Sequence, residues 1–322
     1  MGLKEFGIGF LQKKEVSVTF ILILTMLAFY SIQPKFLSPL NVSVLLKITP
    51  ELGIVALGVT MLMIGGEFDL SVGSVFGFAP LVMATLLSMG VNSWISFAMV
   101  MIMCSLIGAI QGFITVKTGI PSFITTLGGM LIWRGLALVV TGGHPMYFNP
   151  SPDFIYVFTG RLVPFIHSQL IIFIALLIIL QLILERHKFG NWVCAVGGKR
   201  DAAEAMGINA GFVKLILFIL CSTLAGLGGI IQSTRMSQAM PNQGTGLEFD
   251  AIAAAVVGGT SLFGGVGTLI GTMLGEFLCR IIENGLIIIR APSYYFRLYI
   301  GIVIILAVIG NLYIQRRTVK LR

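Results

Sequence analysis

The sequence predicts an all-α integral membrane protein of about ten transmembrane helices, and three observations carry that expectation. Of its 322 residues, 57% are hydrophobic and only 11% charged, where soluble domains sit near a quarter charged; the mean hydropathy is +0.99. Apolar runs of the roughly 20 residues that a hydrocarbon core about 30 Å thick demands recur along almost the whole length. Lys and Arg gather in alternate connecting segments, as they do when one set of loops stays in the cytoplasm. The whole chain, 1–322, reads as one transmembrane domain, with an inverted repeat and both termini cytoplasmic.

Taken in order, the first run, Val16 to Tyr30, follows Lys4, Lys13 and Lys14 much as a secretory signal would. It lacks a small-x-small cleavage site and ends at Gln33-Pro34, so it reads as a retained first span with its N-terminus inside. Further spans fall near 44–65, 70–89, 94–116 and 121–141, then 168–185, 211–233, 247–260, 265–288 and 296–314, with the first covering 16–33. The eighth is short and Ala/Gly-rich, and the sequence leaves open whether it crosses fully. Threading these from the inside places Lys4, Lys13, Lys14, Lys117, Arg186, Lys188, Lys199, Arg200, Lys214, Arg316, Arg317, Lys320 and Arg322 inside. Lys35, Lys47, Arg161, Arg235, Arg290 and Arg297 fall outside. The bias is the expected positive-inside one, which gives the net charge of +8 a topological use and removes the case for a nucleic-acid partner.

The stretch from Thr141 to Ser168, rich in Pro, Gly and aromatics, is the longest outer connection and reads as a folded surface segment. The longest inner one, about 186–211, carries the densest charge and is the natural docking surface for a cytosolic partner. One internal echo supports a duplication. Glu67-Phe68-Asp69 recurs as Glu248-Phe249-Asp250, and Val75/Val256 and Gly77/Gly258 match at the same offset. The first copy follows a span ending inside and the second a span ending outside, as an inverted repeat requires.

Ionisable groups near a membrane interior are costly and need a role. Asp69, with Ser71 beside it, and Asp250, with Glu248, either border a polar pathway or cap the helices that follow them. Arg134 and Arg280 are the basic residues set well within spans. Glu276 lies four residues before Arg280, the spacing of a local ion pair, whereas Arg134 has no such neighbour and calls for an interhelical partner or a cavity. Gly108/Gly112 and Gly267/Gly271/Gly275 have the spacing that lets helix backbones approach closely. The cysteines, Cys104, Cys194, Cys221 and Cys279, form no C-x-x-C pair and read as apolar packing.

Lys199-Arg200-Asp201-Ala202-Ala203-Glu204-Ala205-Met206-Gly207 reads as a short surface helix, with a charged start, an Ala-rich body and a glycine stop. It is too polar to span; it is either an ordinary juxtamembrane turn or a helix offering a small Ala/Met face to a groove on a partner. No G-x-x-x-x-G-K-[ST] phosphate loop occurs, so ATP hydrolysis by that route is not expected of this chain. His144, His167 and His187 lack metal spacing, and no nucleophile–base constellation is present.

Four segments together resemble a known family. They are Gly65–Ser74 (GGEFDLSVGS), Gly119–Gly128 (GIPSFITTLG), the Gly198–Gly207 inner segment running on to Ala225-Gly226-Leu227, and Gly244–Ala254 (GTGLEFDAIAA) through Gly258–Gly265 (GGTSLFGG). With Asn284-Gly285-Leu286 and Ser293-Tyr294-Tyr295 they span nearly the whole chain in order, and the chain resembles the permease subunits of bacterial ATP-binding-cassette importers for ribose, xylose, galactose and related solutes. One departure is visible: Glu67-Phe68 stands where the family usually has a single apolar residue before the Asp, which puts in doubt any inherited role around Asp69.

The resemblance implies a homo- or heterodimer of permease chains around one pathway in the bacterial inner membrane, an extracytoplasmic solute-binding protein, and a cytosolic ATPase that holds ATP and Mg, with no cofactor in this chain. It maps the family's coupling helix onto Lys199 to Gly207. A nucleoside or branched-chain amino-acid permease is the nearest alternative. An ion-coupled secondary transporter would instead use Asp69, Asp250 and Arg134 as ion sites.

Overall fold

The computed structural model describes residues 14–292 and 294–320, so Lys4, Lys13, Ser293 and Arg322 lie outside the described residues. Each of the predicted spans coincides with a helix. The first five are α1 (Lys14–Ile32), α2 (Pro39–Ile64), α3 (Val72–Ser88), α4 (Ser93–Thr118) and α5 (Ser122–Thr141). After a short helix α6 (Pro152–Thr159) comes α7 (Ser168–Arg186), and after two shorter helices, α8 (Lys188–Gly198) and α9 (Arg200–Ala205), come α10 (Ala210–Met236), α11 (Leu247–Val257), α12 (Leu269–Ile288) and α13 (Tyr294–Lys320). Of these, α2, α4, α5, α7 and α10 are long and apolar enough to cross a membrane by length and composition.

Local chemistry sets the boundaries. Ser38 accepts from the Asn41 amide with Pro39 in the first helical position of α2. Asn92, Asn209 and Thr268 cap α4, α10 and α12 in the same way, accepting amides of Trp94, Phe212 and Gly271. At its far end α2 stops on Gly65-Gly66: Gly66 takes the left-handed conformation (φ +82) and the Glu67 amide returns to the Leu62 carbonyl, the geometry that satisfies last-turn carbonyls. The 11 residues of α11 rise only about 16 Å, half the thickness of a hydrocarbon core. It ends on Gly258-Gly259, again with φ positive at the second glycine (+91).

The interior is built on α2 and α3, the former buried from Thr49 to Ile64 and the latter from Val72 to Ala84 apart from Val82. A helix apolar on every side belongs at the centre of a bundle. By contrast α5 turns Phe123, Leu131, Ile132 and Val139 outward, and α4 and α7 do likewise with Phe113, Ile102, Ile171 and Ile178, the surface a lipid-facing helix presents. Packing is cross-wise: α2 packs on α10, α11 and α12, while α10 packs on α2, α3 and α4. Close backbone contact is made where glycine permits it, as at Gly108, where a side chain would meet the Phe218 carbonyl of α10. Cys104 packs against Gly226 of α10 as an apolar filler.

The segment 141–168 is folded, as its composition predicts. Phe154 and Phe158 of α6 are buried against Trp94 and Phe97 of α4, with ring centroids 5.0 Å apart for Trp94–Phe154 and 4.5 Å for Phe154–Phe158. Trp94 donates its indole N–H to Asp153 at 2.6 Å. Strand β1 (Met146–Tyr147) pairs antiparallel with β4 (Gln238–Ala239), and β2 (Arg161–Val163) with β3 (Ile166–His167).

Candidate functional site: a polar core and a short charged helix

The first predicted cluster forms at the start of α3. Asp69 is 1% exposed and accepts from the Ser71 amide (2.8 Å), the Ser71 hydroxyl (2.6 Å) and, at 3.5 Å, the Ser222 hydroxyl of α10. Ser71 in turn accepts from the side-chain amide of Gln111 of α4 at 2.9 Å. Both side chains are fully enclosed; their bonds tie the α3 start to α4 and α10. Asp69 braces the turn before the helix, and Ser71 occupies the N-cap position itself.

The Glu67-Phe68 departure is absorbed in the same loop. Glu67 pairs with Lys214 of α10, and the Phe68 and Leu70 amides donate to Ser122 and Thr126 of α5.

One turn further along α3, Arg134 reaches from α5 across to the segment before α11. Its guanidinium donates to the carbonyls of Pro241 (2.6 Å), Gln243 (2.8 Å) and Gly73 (3.1 Å). Glycine is needed at 73 and 77, because a side chain at either position would strike the backbone carbonyl of Gly244 or Gln243. Glu248, 6% exposed, lies against Gly73 and feels the Arg134 charge. Arg134 and Glu248 therefore share one seam, with Asp69 and Ser71 behind it.

Asp250 corrects the helix-cap expectation. The residue at the N-cap of α11 is Gly246, in the left-handed conformation (φ +86), and Asp250 lies inside the first turn. A cap oxygen must sit before the helix to meet its free amides, and α11 has no side-chain cap bond. Asp250 stands towards Arg280, Glu283 and Arg297 instead. Arg280 bonds Glu276 at 2.9 Å, the expected local pair, and also Glu283 at 2.5 Å.

Sequence reasoning missed one deeply buried ion pair. Glu51 in α2 accepts two bonds from Arg235 of α10, one of them 3.0 Å long, and a third from Gln232 at 3.0 Å. The signal was present as a lone carboxylate inside an apolar run. Arg235 was hidden because the predicted span stops at 233, whereas α10 continues to Met236.

The short helix expected after α8 is present as α9, with Lys199 at its N-cap and Met206 at its C-cap. Asp201, Ala202, Glu204, Ala205, Met206 and Gly207 are exposed, Met206 at 70%, and Arg200 pairs with Glu204 at 2.8 Å. Ala203 departs from the expected outward face: it is 1% exposed and turned into the chain. In a helix of six residues, neighbours in sequence point to different sides, and one must anchor the helix. The preceding helix α8, unforeseen in the sequence, joins α9 to the bundle. Its Gly197-Gly198 backbone packs directly on Gly66 and on Gly264-Gly265, and the Gly265 amide donates to the Ile64 carbonyl at 2.8 Å.

Comparison with known proteins gives one family match, over residues 41–308, to the branched-chain amino acid transport system / permease component family. The ribose import permease protein RbsC of Escherichia coli (strain K12) is 33% identical over 311 residues, 96% of each chain. The xylose/arabinose import permease protein XylH of Sulfolobus acidocaldarius is 31% identical over 319 residues, 97% of this chain and 88% of that one. The ribose import permease protein RbsC of Bacillus subtilis (strain 168) is 33% identical over 278 residues, 86% of each. No solved structure matches the chain.

Proposed function

The chain belongs to the branched-chain amino acid transport system / permease component family, and from that premise we propose that it is the membrane permease subunit of an ATP-binding-cassette importer for a simple sugar. The observation that carries the cargo class is likeness to a ribose import permease along 96% of both chains. In this reading residues 1–322 form a single transmembrane domain with ten crossings and both termini in the cytoplasm of a bacterial inner membrane. Cross-wise packing of α2 and α10 on each other's neighbours supports an inverted repeat, in which the two halves tilt against each other for alternating access.

Two permease chains enclose the pathway, a binding protein delivers sugar from outside, and a cytosolic ATPase holding ATP and Mg docks on α9. Exposed Ala202, Ala205 and Met206, flanked by Lys199, Arg200, Asp201 and Glu204, suit a groove that reads small apolar side chains between charges. Glycine packing of α8 on the loops after α2 and after α11 supports a direct route for that motion into both halves. Lipid covers the apolar flanks of α4, α5 and α7. The side of the seam that carries Arg134, Glu248 and Asp250 is assigned to the pathway; Asp69 and Ser71 serve it from behind by fixing α3.

The test is purification of the tagged chain in mild detergent, identification of the co-purifying ATPase, and reconstitution with it and the binding protein in vesicles. ATP-dependent uptake of labelled D-ribose, D-xylose or D-galactose is expected. Uptake of leucine or a nucleoside in their place, or uptake driven by an ion gradient without an ATPase, would overturn the reading.

A further inference from the structure

A cavity of about 900 Å³ opens between the start of α11, the far end of α12 and the start of α13, within the volume range of small-molecule sites. Its wall holds three carboxylates, Glu248, Asp250 and Glu283, together with Arg297 and the aromatic rings of Phe249 and Tyr294. Three guanidiniums meet these groups: Arg134 beside Glu248, Arg297 beside Asp250, and Arg280 shared among Asp250, Glu283 and, behind the wall, Glu276. Such a wall offers many acceptors and donors and, with four carboxylates against three guanidiniums, only one unbalanced negative charge, so an anion is repelled and a polyvalent charged ligand gains little by entering. The rings are half exposed or more and present flat apolar faces beside the polar groups.

That combination has a defined complement. A cyclic polyol has several hydroxyls, each able to donate to a carboxylate and accept from a guanidinium, and an apolar C–H face that stacks on an aromatic ring. We propose that this cavity is a binding station for a neutral monosaccharide within the permease. Glu248 and Asp250 accept hydroxyl protons, Arg297 donates to a sugar oxygen, and Phe249 and Tyr294 cover the ring faces. The proposal rests on the sugar-permease reading and adds the place where the cargo pauses. With the termini inside, all three walls lie at the outer ends of their helices, where sugar would arrive.

The test uses the full chain with its co-purified ATPase in nanodiscs, without binding protein, and D-ribose, D-xylose and D-galactose as probes. Saturation transfer to sugar ring protons is expected for at least one of them, competed by the neutral sugars and not by ribose 5-phosphate or spermidine. Phe249→Ala and Asp250→Asn should each weaken that binding about tenfold or more, the value of a lost charge-assisted hydrogen bond or stacked ring. Tyr294→Ala, at an exposed position, should do so with no change in thermal unfolding, so that lost binding is separable from misfolding. Unchanged binding in all three variants, or competition by the charged compounds, would overturn the site. Sugar uptake by the reconstituted importer with no transfer signal overturns the site and leaves the permease reading intact; absence of any sugar uptake removes both.

Discussion

Glu51 is a demanding residue, a carboxylate 3% exposed halfway along the buried helix α2. It is tolerated because Arg235 grips it through two nitrogens and Gln232 adds a third donor. Removing one partner of such a pair leaves a charge in a dry interior, so Arg235→Ala should cost about 3–5 kcal/mol, read as a fall in the detergent unfolding midpoint. Arg235→Lys should recover little of this, because an ammonium cannot reproduce the two-nitrogen grip; full recovery would mean the charge alone matters. Outside the spans, burial first, then Lys47 and Arg161, hold the His167 imidazole below its ordinary 6.5. Its Nδ1 is buried with no hydrogen-bond partner among the described residues, so a proton there meets no acceptor. A depressed folded pKa means that the unfolded chain takes up the proton first. The contribution of His167 is therefore whole above pH 6.5 and lost as pH falls through that value towards the folded pKa. An NMR titration should place its midpoint below 6.5, and a midpoint above it would contradict the packing of β3.

Helices were more legible than the contacts between them. Apolar runs bounded by Pro, Gly and Asn located a helix at every predicted span, because burial in lipid or core leaves a long uninterrupted pattern. Helix α8 was not legible, since its sequence KFGNWVCAVGG mixes small, polar and aromatic residues without a strong period. Nor could the orientation of α9 be read, because six residues carry too little pattern to say which alanine turns inward. The structure separates the two alanines experimentally. Ala205→Glu, at an exposed position, should leave folding intact and abolish ATPase co-purification; Ala203→Glu buries a charge and should lower the unfolding midpoint as well. Retained ATPase association in Ala205→Glu would remove α9 from the docking surface. At the other end of the α8 contact, a methyl on Gly197 would collide with the Ile64 carbonyl. Gly197→Ala should therefore keep the ATPase bound, with its docking face untouched, while uncoupling ATP hydrolysis from uptake. Wild-type coupling would show that the glycine junction transmits nothing.

At the scale of the whole molecule, the sequence offered only the Glu-Phe-Asp echo for the relation between halves. The structure replaces that echo with packing: α2 and α10 pair with each other, and each lies among the helices of the other half. The sidedness this implies is open to a direct chemical test, because the native thiols are well placed. Cys104, Cys221 and Cys279 are buried and only Cys194 is partly open, so Cys194→Ser leaves a quiet background for labelling. On it, Tyr147→Cys in segment 141–168, 75% exposed, and Met206→Cys at the end of α9 are separated by α7 alone among the helices fit to cross a membrane. An impermeant maleimide should label the first in intact spheroplasts and the second only after permeabilisation. Phe263→Cys, in the loop after α11, should behave like Met206→Cys, and Asn242→Cys, exposed before α11, like Tyr147→Cys. If it does, the short α11 and its two flanking loops together bridge the membrane, and an 11-residue helix suffices because glycine-rich backbone on either side is buried in protein rather than in lipid. Labelling of both flanks from one side would mean that α11 dips in and returns, and the ten-crossing topology would lose its eighth span.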